Sequence, residues 1–161
     1  MNYRTYRTLV LVAVVLFVGV AAPVSFGEQS SQSMYTHVAL MAVNRKYVAA
    51  EGGGGRELVA NRDALGPWES FNVVHLGNDR LALQASNGKY VSATGPNGTL
   101  LANRDCIGPT ETFLMVRVRE SRIALKANNG KFVCAEGGGG RELIANRDVA
   151  GEWESFYMFP W

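Results

Sequence analysis

Residues 51–71 read EGGGGRELVANRDALGPWESF and residues 136–156 read EGGGGRELIANRDVAGEWESF, the same string with a handful of substitutions. Between them, residues 94–113 read TGPNGTLLANRDCIGPTETF, a version one residue shorter. Asn61, Asn103 and Asn146 stand 42 and then 43 residues apart, and Phe71, Phe113 and Phe156 repeat those intervals. A fixed period of this length marks a fold assembled from like units. A unit of about 42 residues seldom buries a sufficient core alone, so the three belong to one domain.

Outward from the repeated string, each unit carries the pattern of strands. The run from His37 to Val43 alternates loosely, turns at Asn44-Arg45-Lys46 and returns as Tyr47-Val-Ala-Ala. The second unit runs Arg80-Leu-Ala-Leu-Gln-Ala-Ser to Asn87-Gly88, and the third runs Arg122-Ile-Ala-Leu-Lys-Ala-Asn to Asn129-Gly130. Asn-Gly between apolar runs predicts a hairpin with a type I′ turn, in which both residues take positive φ. After the glycine run comes a short third strand around Leu58-Val59-Ala60. A fourth begins near Glu69, Glu111 and Glu154 and passes through Phe71, Phe113 and Phe156. No stretch after Ser33 has a helical period. Twelve short antiparallel strands in three repeats predict an all-β chain with pseudo-threefold symmetry, a β-trefoil. Closing the sheet into a barrel removes exposed edges, whereas a propeller needs at least four blades.

The first 27 residues differ. Arg4 and Arg7 precede an uncharged apolar run from Leu9 to Ala22, followed by Pro23 and small residues. This is the layout of a secretory signal peptide, and the run is short beside the roughly 20 residues that span a bilayer. An uncleaved anchor is the other reading. Residues 28–34 make a polar, flexible leader, and residues 35–161 a single trefoil with repeats at about 35–76, 77–118 and 119–161. The chain holds 16 Lys plus Arg against 14 Asp plus Glu; the signal segment contributes two Arg and no acid, which leaves 14 against 14. No basic footprint for nucleic acid remains. Export, no membrane contact beyond the signal segment, and a monomer are expected.

The strings ALxAxNGKYVxAE and ANRD and the spaced Glu-x-Phe resemble the fascin-like (actin-crosslinking-like) β-trefoils over essentially all of residues 35–161. The Gln-x-Trp signature of ricin-type lectins is absent. A single copy behind a signal peptide is similar to the secreted bacterial members of that branch. The Trp-Glu pairs also resemble the β-glucan-binding modules of carbohydrate-binding family 92. The resemblance implies a polysaccharide partner, with β-glucan favoured; the alternative it implies is a protein-binding or actin-crosslinking module.

The residues carry their own argument. Pro67-Trp68-Glu69 and Glu152-Trp153-Glu154 set an indole beside a carboxylate next to a glycine-marked turn. A flat aromatic face stacks on the C–H face of a pyranose, and a carboxylate accepts hydrogen bonds from sugar hydroxyls. Trp68, Glu69, Trp153 and Glu154 are therefore the candidate carbohydrate-binding residues, with Glu111, Arg62 and Arg147 as weaker members. The middle repeat has Thr110 in place of Trp, so its site is expected to be weak or dead. Against this, Glu111 persists without its Trp, which points to a scaffold role in the turn or in pairing with Arg62, Arg104 and Arg147. Asn61, Asn103 and Asn146 read as turn residues bonding their own backbone, and Asp63, Asp105 and Asp148 read the same way.

Catalysis and cofactors find little support. His37 and His75 are the only histidines and neither is repeated. The EGGGG run lacks the Lys-Ser/Thr of a phosphate loop and no helix follows it. Oxygen ligands near Glu51 and Glu136 are too sparse for Ca²⁺. No enzyme, cofactor or metal is expected. Export permits a disulfide between Cys106 and Cys134, but the two occupy different repeat positions where the other units have small residues, which favours two buried, unpaired thiols.

Overall fold

A computed structural model describes residues 36–119 and 121–161; the signal segment and leader expected at 1–27 and 28–34 lie outside them. Among the described residues twelve strands form one sheet. In chain order they are β1 (His37–Met41), β2 (Tyr47–Ala50), β3 (Leu58–Arg62), β4 (Ser70–Gly77), β5 (Arg80–Gln84), β6 (Tyr90–Ser92), β7 (Leu101–Arg104), β8 (Phe113–Arg119), β9 (Arg122–Lys126), β10 (Phe132–Ala135), β11 (Leu143–Arg147) and β12 (Phe156–Pro160). The remaining elements are single 3₁₀ turns, such as Glu51–Gly53 and Glu136–Gly138.

Six strands close on themselves. β1 pairs with β4, β4 with β5, β5 with β8, β8 with β9, β9 with β12, and β12 with β1, all antiparallel. The other six form the hairpins β2–β3, β6–β7 and β10–β11, one per repeat. These hairpins meet about the threefold axis, where Leu58 N donates to Leu100 O at 3.0 Å and Leu100 N to Leu143 O at 2.9 Å. A closed barrel of six strands capped by three hairpins is the β-trefoil that the repeat count predicts.

The core is threefold as well. Phe71, Phe113 and Phe156 are fully buried beside Leu40, Leu83 and Leu125. The first strand of each repeat alternates only loosely because its outward alanine, Ala39, Ala82 or Ala124, is covered too.

The turns depart from expectation. Asn87 does not have positive φ; only Gly88 does, at 77°, and Gly130 at 79°. Gly88 N donates to Ala85 O, Ala85 N to Lys89 O, and Asn87 Oδ1 accepts from Lys89 N. This is a three-residue loop with one left-handed residue at its end, so the Asn works through its side chain instead of its φ. In the first repeat Arg45 occupies the left-handed position, at φ 65°. A two-residue turn with both φ positive does occur, at Asn78-Asp79 between β4 and β5.

Candidate functional site

The glycine runs decide where the indoles lie. Gly52 to Gly55 all take positive φ, from 69° to 123°, and Gly137 to Gly140 reproduce this. The loop so formed reaches across to the next repeat. Gly53 O accepts from Asn87 N at 3.2 Å, Gly55 N donates to Ala102 O at 3.2 Å, and a Cβ on Gly54 would fall 2.1 Å from Asn87 Nδ2. In the third repeat Gly140 N donates to Ala60 O at 2.9 Å and Gly139 lies against Asn44, so the last repeat laps onto the first.

Trp68 and Trp153 rest on these loops. A Cβ on Gly53 would stand 3.1 Å from Trp68 Nε1, and one on Gly138 3.2 Å from Trp153 Nε1. The main chain holds each tryptophan in place: Ala50 N donates to Trp68 O and Ala135 N to Trp153 O, both at 2.8 Å. The Arg62 guanidinium lies 5.9 Å from the Trp68 ring. Supported in this way, the two indoles remain 42% and 45% exposed.

A polar network lies beside each indole. Arg62 bonds Glu51 at 2.9 Å and approaches Glu69 at 3.5 Å, while Asn61 Nδ2 donates to Glu51 Oε1 at 2.8 Å. Arg147 likewise pairs with Glu136 at 3.0 Å and Glu154 at 3.7 Å, and Asn146 donates to Glu136 at 3.1 Å. Asn61 and Asn146 are therefore strand residues that bond a carboxylate across the hairpin, not turn residues bonding their own backbone. Their Oδ1 atoms are shielded and have no donor among the described residues. The aspartates also reach across their hairpins, in the exposed pairs Lys46–Asp63, Lys89–Asp105 and Lys131–Asp148.

Glu69, Glu111 and Glu154 turn inward, at 4–6% exposure. Glu154 Oε2 accepts from Gly151 N at 2.8 Å and Glu111 Oε2 from Gly108 N at 2.9 Å; a Cβ on Gly66 would meet Glu69 Oε2 at 3.1 Å. Glu111 and Glu154 thus bond their turns from the inside, and all three carboxylates are less open than the two indoles. The partly exposed charges beside each indole are Arg62 and Arg147, with side chains 37% and 39% exposed, backed by Glu51 and Glu136.

The middle repeat lacks both halves of this arrangement. Thr110 replaces the indole and Thr94 replaces the glutamate, so Asn103 instead accepts from Ser92 Oγ at 2.9 Å. Glu51 and Glu136 were the members that spacing did not single out for binding, although glutamate and tryptophan are present together in repeats one and three and lost together in repeat two.

Cys134 lies beneath the third site. Burial, together with the neighbouring Glu154, pushes its thiol up to about 12. Cys106 is exposed, contrary to the expectation that both would be buried, and both thiols are free.

The fold has many relatives of known structure. The designed threefold-symmetric protein ThreeFoil superposes with a TM-score of 0.69 at 17% identity, over 76% of this chain and 97% of that one. SeviL bound to asialo-GM1 saccharide gives 0.63 at 13% identity, over 78% and 97%. The Polyporus squamosus lectin bound to a human-type influenza-binding epitope gives 0.64 at 14% identity, over 77% of this chain and 48% of that one. At such identities the likeness is one of fold. No curated protein matches in sequence. Residues 34–133, well over half of the chain, match the family described as a domain of unknown function, DUF7910, and the chain belongs to that family.

Proposed function

We propose that the protein is an exported, non-catalytic carbohydrate-binding protein that takes a polysaccharide of the β-glucan type on Trp68 and Trp153. The observation that carries this reading is the pair of half-exposed indoles, each held from behind by a glycine loop. A rigid aromatic plate with one open face suits the apolar face of a pyranose, and little order is lost on binding because the plate is already fixed. Arg62 and Arg147 stand ready to donate to ring or hydroxyl oxygens, while Glu51 and Glu136 hold them in place. The glycan complexes among its fold relatives lend support. Two sites on different repeats engage one long chain at once, so weak contacts combine by avidity.

Native affinity gels cast with β-1,3- and β-1,6-linked glucans, xylan and galactan test the reading. One glucan should retard the wild-type protein, Trp68→Ala and Trp153→Ala should each weaken that retardation, and the double variant should abolish it. No retardation on any polysaccharide, by a protein whose near-UV circular dichroism shows it folded, would sink the proposal. A protein-binding role in the manner of fascin is favoured by one other feature, the outward row Tyr157, Phe159 and Trp161 on and just beyond β12, whose last two members are 38% and 57% exposed.

A further inference from the structure

The three repeats place equivalent residues in three equivalent rows across the outside of the barrel. His37, Asn72 and Gln84 form one row, Arg80, Leu114 and Lys126 the second, and Arg122, Tyr157 and Met41 the third, each a pair of adjacent ladder contacts. The first row is closed by a hydrogen bond from Asn72 to Gln84 at 3.3 Å. In the third, the protein supplies its own anion: Glu152 bonds Arg122 at 2.7 Å and Arg119 at 3.0 Å, and Tyr157 lies under the Arg122 guanidinium at 5.3 Å. Arg122 holds the Glu152 carboxyl below its ordinary range.

The second row has the cations without the acid. Pro109 stands where the third repeat has Glu152, and Leu114 where it has Tyr157. The result is an open groove of about 470 Å³ lined by Arg80, Lys126, Leu114, Pro109, Thr112 and Asn128. Its volume lies within the range of small-ligand sites. The groove is lined by no carboxylate, and Arg80 has no ion pair among the described residues. Lys126 lies over Phe132 at 5.2 Å, and Asp148, whose carboxyl also feels Lys126, is engaged by Lys131.

We propose that this groove between the second and third repeats binds the carboxylate of an acidic sugar residue, which takes beside Arg80 the place that Glu152 takes beside Arg122. The apolar floor at Leu114 and Pro109 receives the sugar's C–H face, while Thr112 and Asn128 offer polar contacts to its hydroxyls. This deepens the carbohydrate reading and rests on it for the saccharide, but the groove holds none of the tryptophan sites.

The test titrates the protein with polygalacturonate, with the same polymer fully methyl-esterified, and with acetate, by calorimetry at low and moderate salt. The acid polymer should bind, more weakly as salt rises, and the ester and acetate should not. Arg80→Gln and Lys126→Gln should each lower the affinity by at least about tenfold, the worth of one charge-assisted hydrogen bond. Pro109→Glu should abolish binding without removing a cation, whereas Ala64→Glu, the same charge change at an exposed site in the first repeat, should leave it unchanged. Equal binding of acid and ester, or a Pro109→Glu variant that binds as wild type, would overturn the proposal; acetate binding as tightly as the polymer would overturn its assignment to a saccharide. A Trp68→Ala/Trp153→Ala variant that loses the neutral glucan yet keeps polygalacturonate separates this groove from the tryptophan sites. Failure on neutral glucans alone would count against those sites and not against the groove.

Discussion

A glutamate that follows a tryptophan in sequence faces the opposite way in space, and this separates the two roles. If the inward carboxylates serve the turn, Glu111→Ala and Glu154→Ala should cost similar stability, about 1–3 kcal/mol each, because each removes the same charge-assisted hydrogen bond to a turn glycine N–H. Urea denaturation checks the first part. Glucan retardation checks the second, since Glu111→Ala should leave it unaltered. The Cys134 thiol offers a pH test. The fold keeps its proton until about pH 12, whereas the ordinary thiol releases it near 9.0. A raised folded value means that this contribution is fully present below about pH 9 and drains away as pH rises towards 12. Stability should fall across that window, and Cys134→Ala should flatten the fall. A thiol reagent at pH 8 should label Cys106 alone until the chain is unfolded. The tryptophans were legible in the sequence as candidates because they recur beside a marked turn. The direction of the carboxylates was not, since direction depends on a main-chain N–H that no spacing reveals.

At the level of the turns and loops, strain is confined to a few positions. Arg45 holds a left-handed conformation that Gly88 and Gly130 hold in the other repeats. Arg45→Gly should raise stability by roughly 0.5–1 kcal/mol, the relief of that conformation less the exposed contact of Arg45 with Tyr157 at 6.0 Å. Gly54→Ala and Gly139→Ala should do the reverse, by about 1–3 kcal/mol for overpacking and more for their φ of 123° and 126°. Thermal melts of the three variants against wild type would rank them. The Asn-Gly pairs correctly announced hairpins, but the dipeptide alone does not distinguish a two-residue loop from a three-residue loop, which needs only one left-handed residue. The glycine runs read as bare loops allowing a close approach; what approaches is an asparagine of another repeat, Asn87 at Gly54 and Asn44 at Gly139, too distant in sequence to leave a local trace.

Over the whole molecule, the twelve-strand trefoil follows from periodicity because every repeat must bury the same faces against its neighbours, and Phe71, Phe113 and Phe156 do so. The departures from symmetry were harder to read. The loss of Trp at Thr110 was visible, but the groove depends on Pro109 and Leu114 standing in place of Glu152 and Tyr157 while strand pairing brings Arg80 and Lys126 beside them. The three junctions are thus chemically distinct, and the acid polymer and the neutral glucan should bind simultaneously. Calorimetry with one ligand already saturating should return the affinity of the other within about twofold, as expected for sites with no shared partners.

The ladder that closes the barrel also has a mechanical meaning. β1 and β12 run antiparallel with Val38 opposite Pro160 and Met41 opposite Tyr157, so the two flanks of the domain leave from the same end of that ladder. Tension applied through both flanks would peel the pairs apart one after another, beginning at Val38 and Pro160, instead of loading them all in shear.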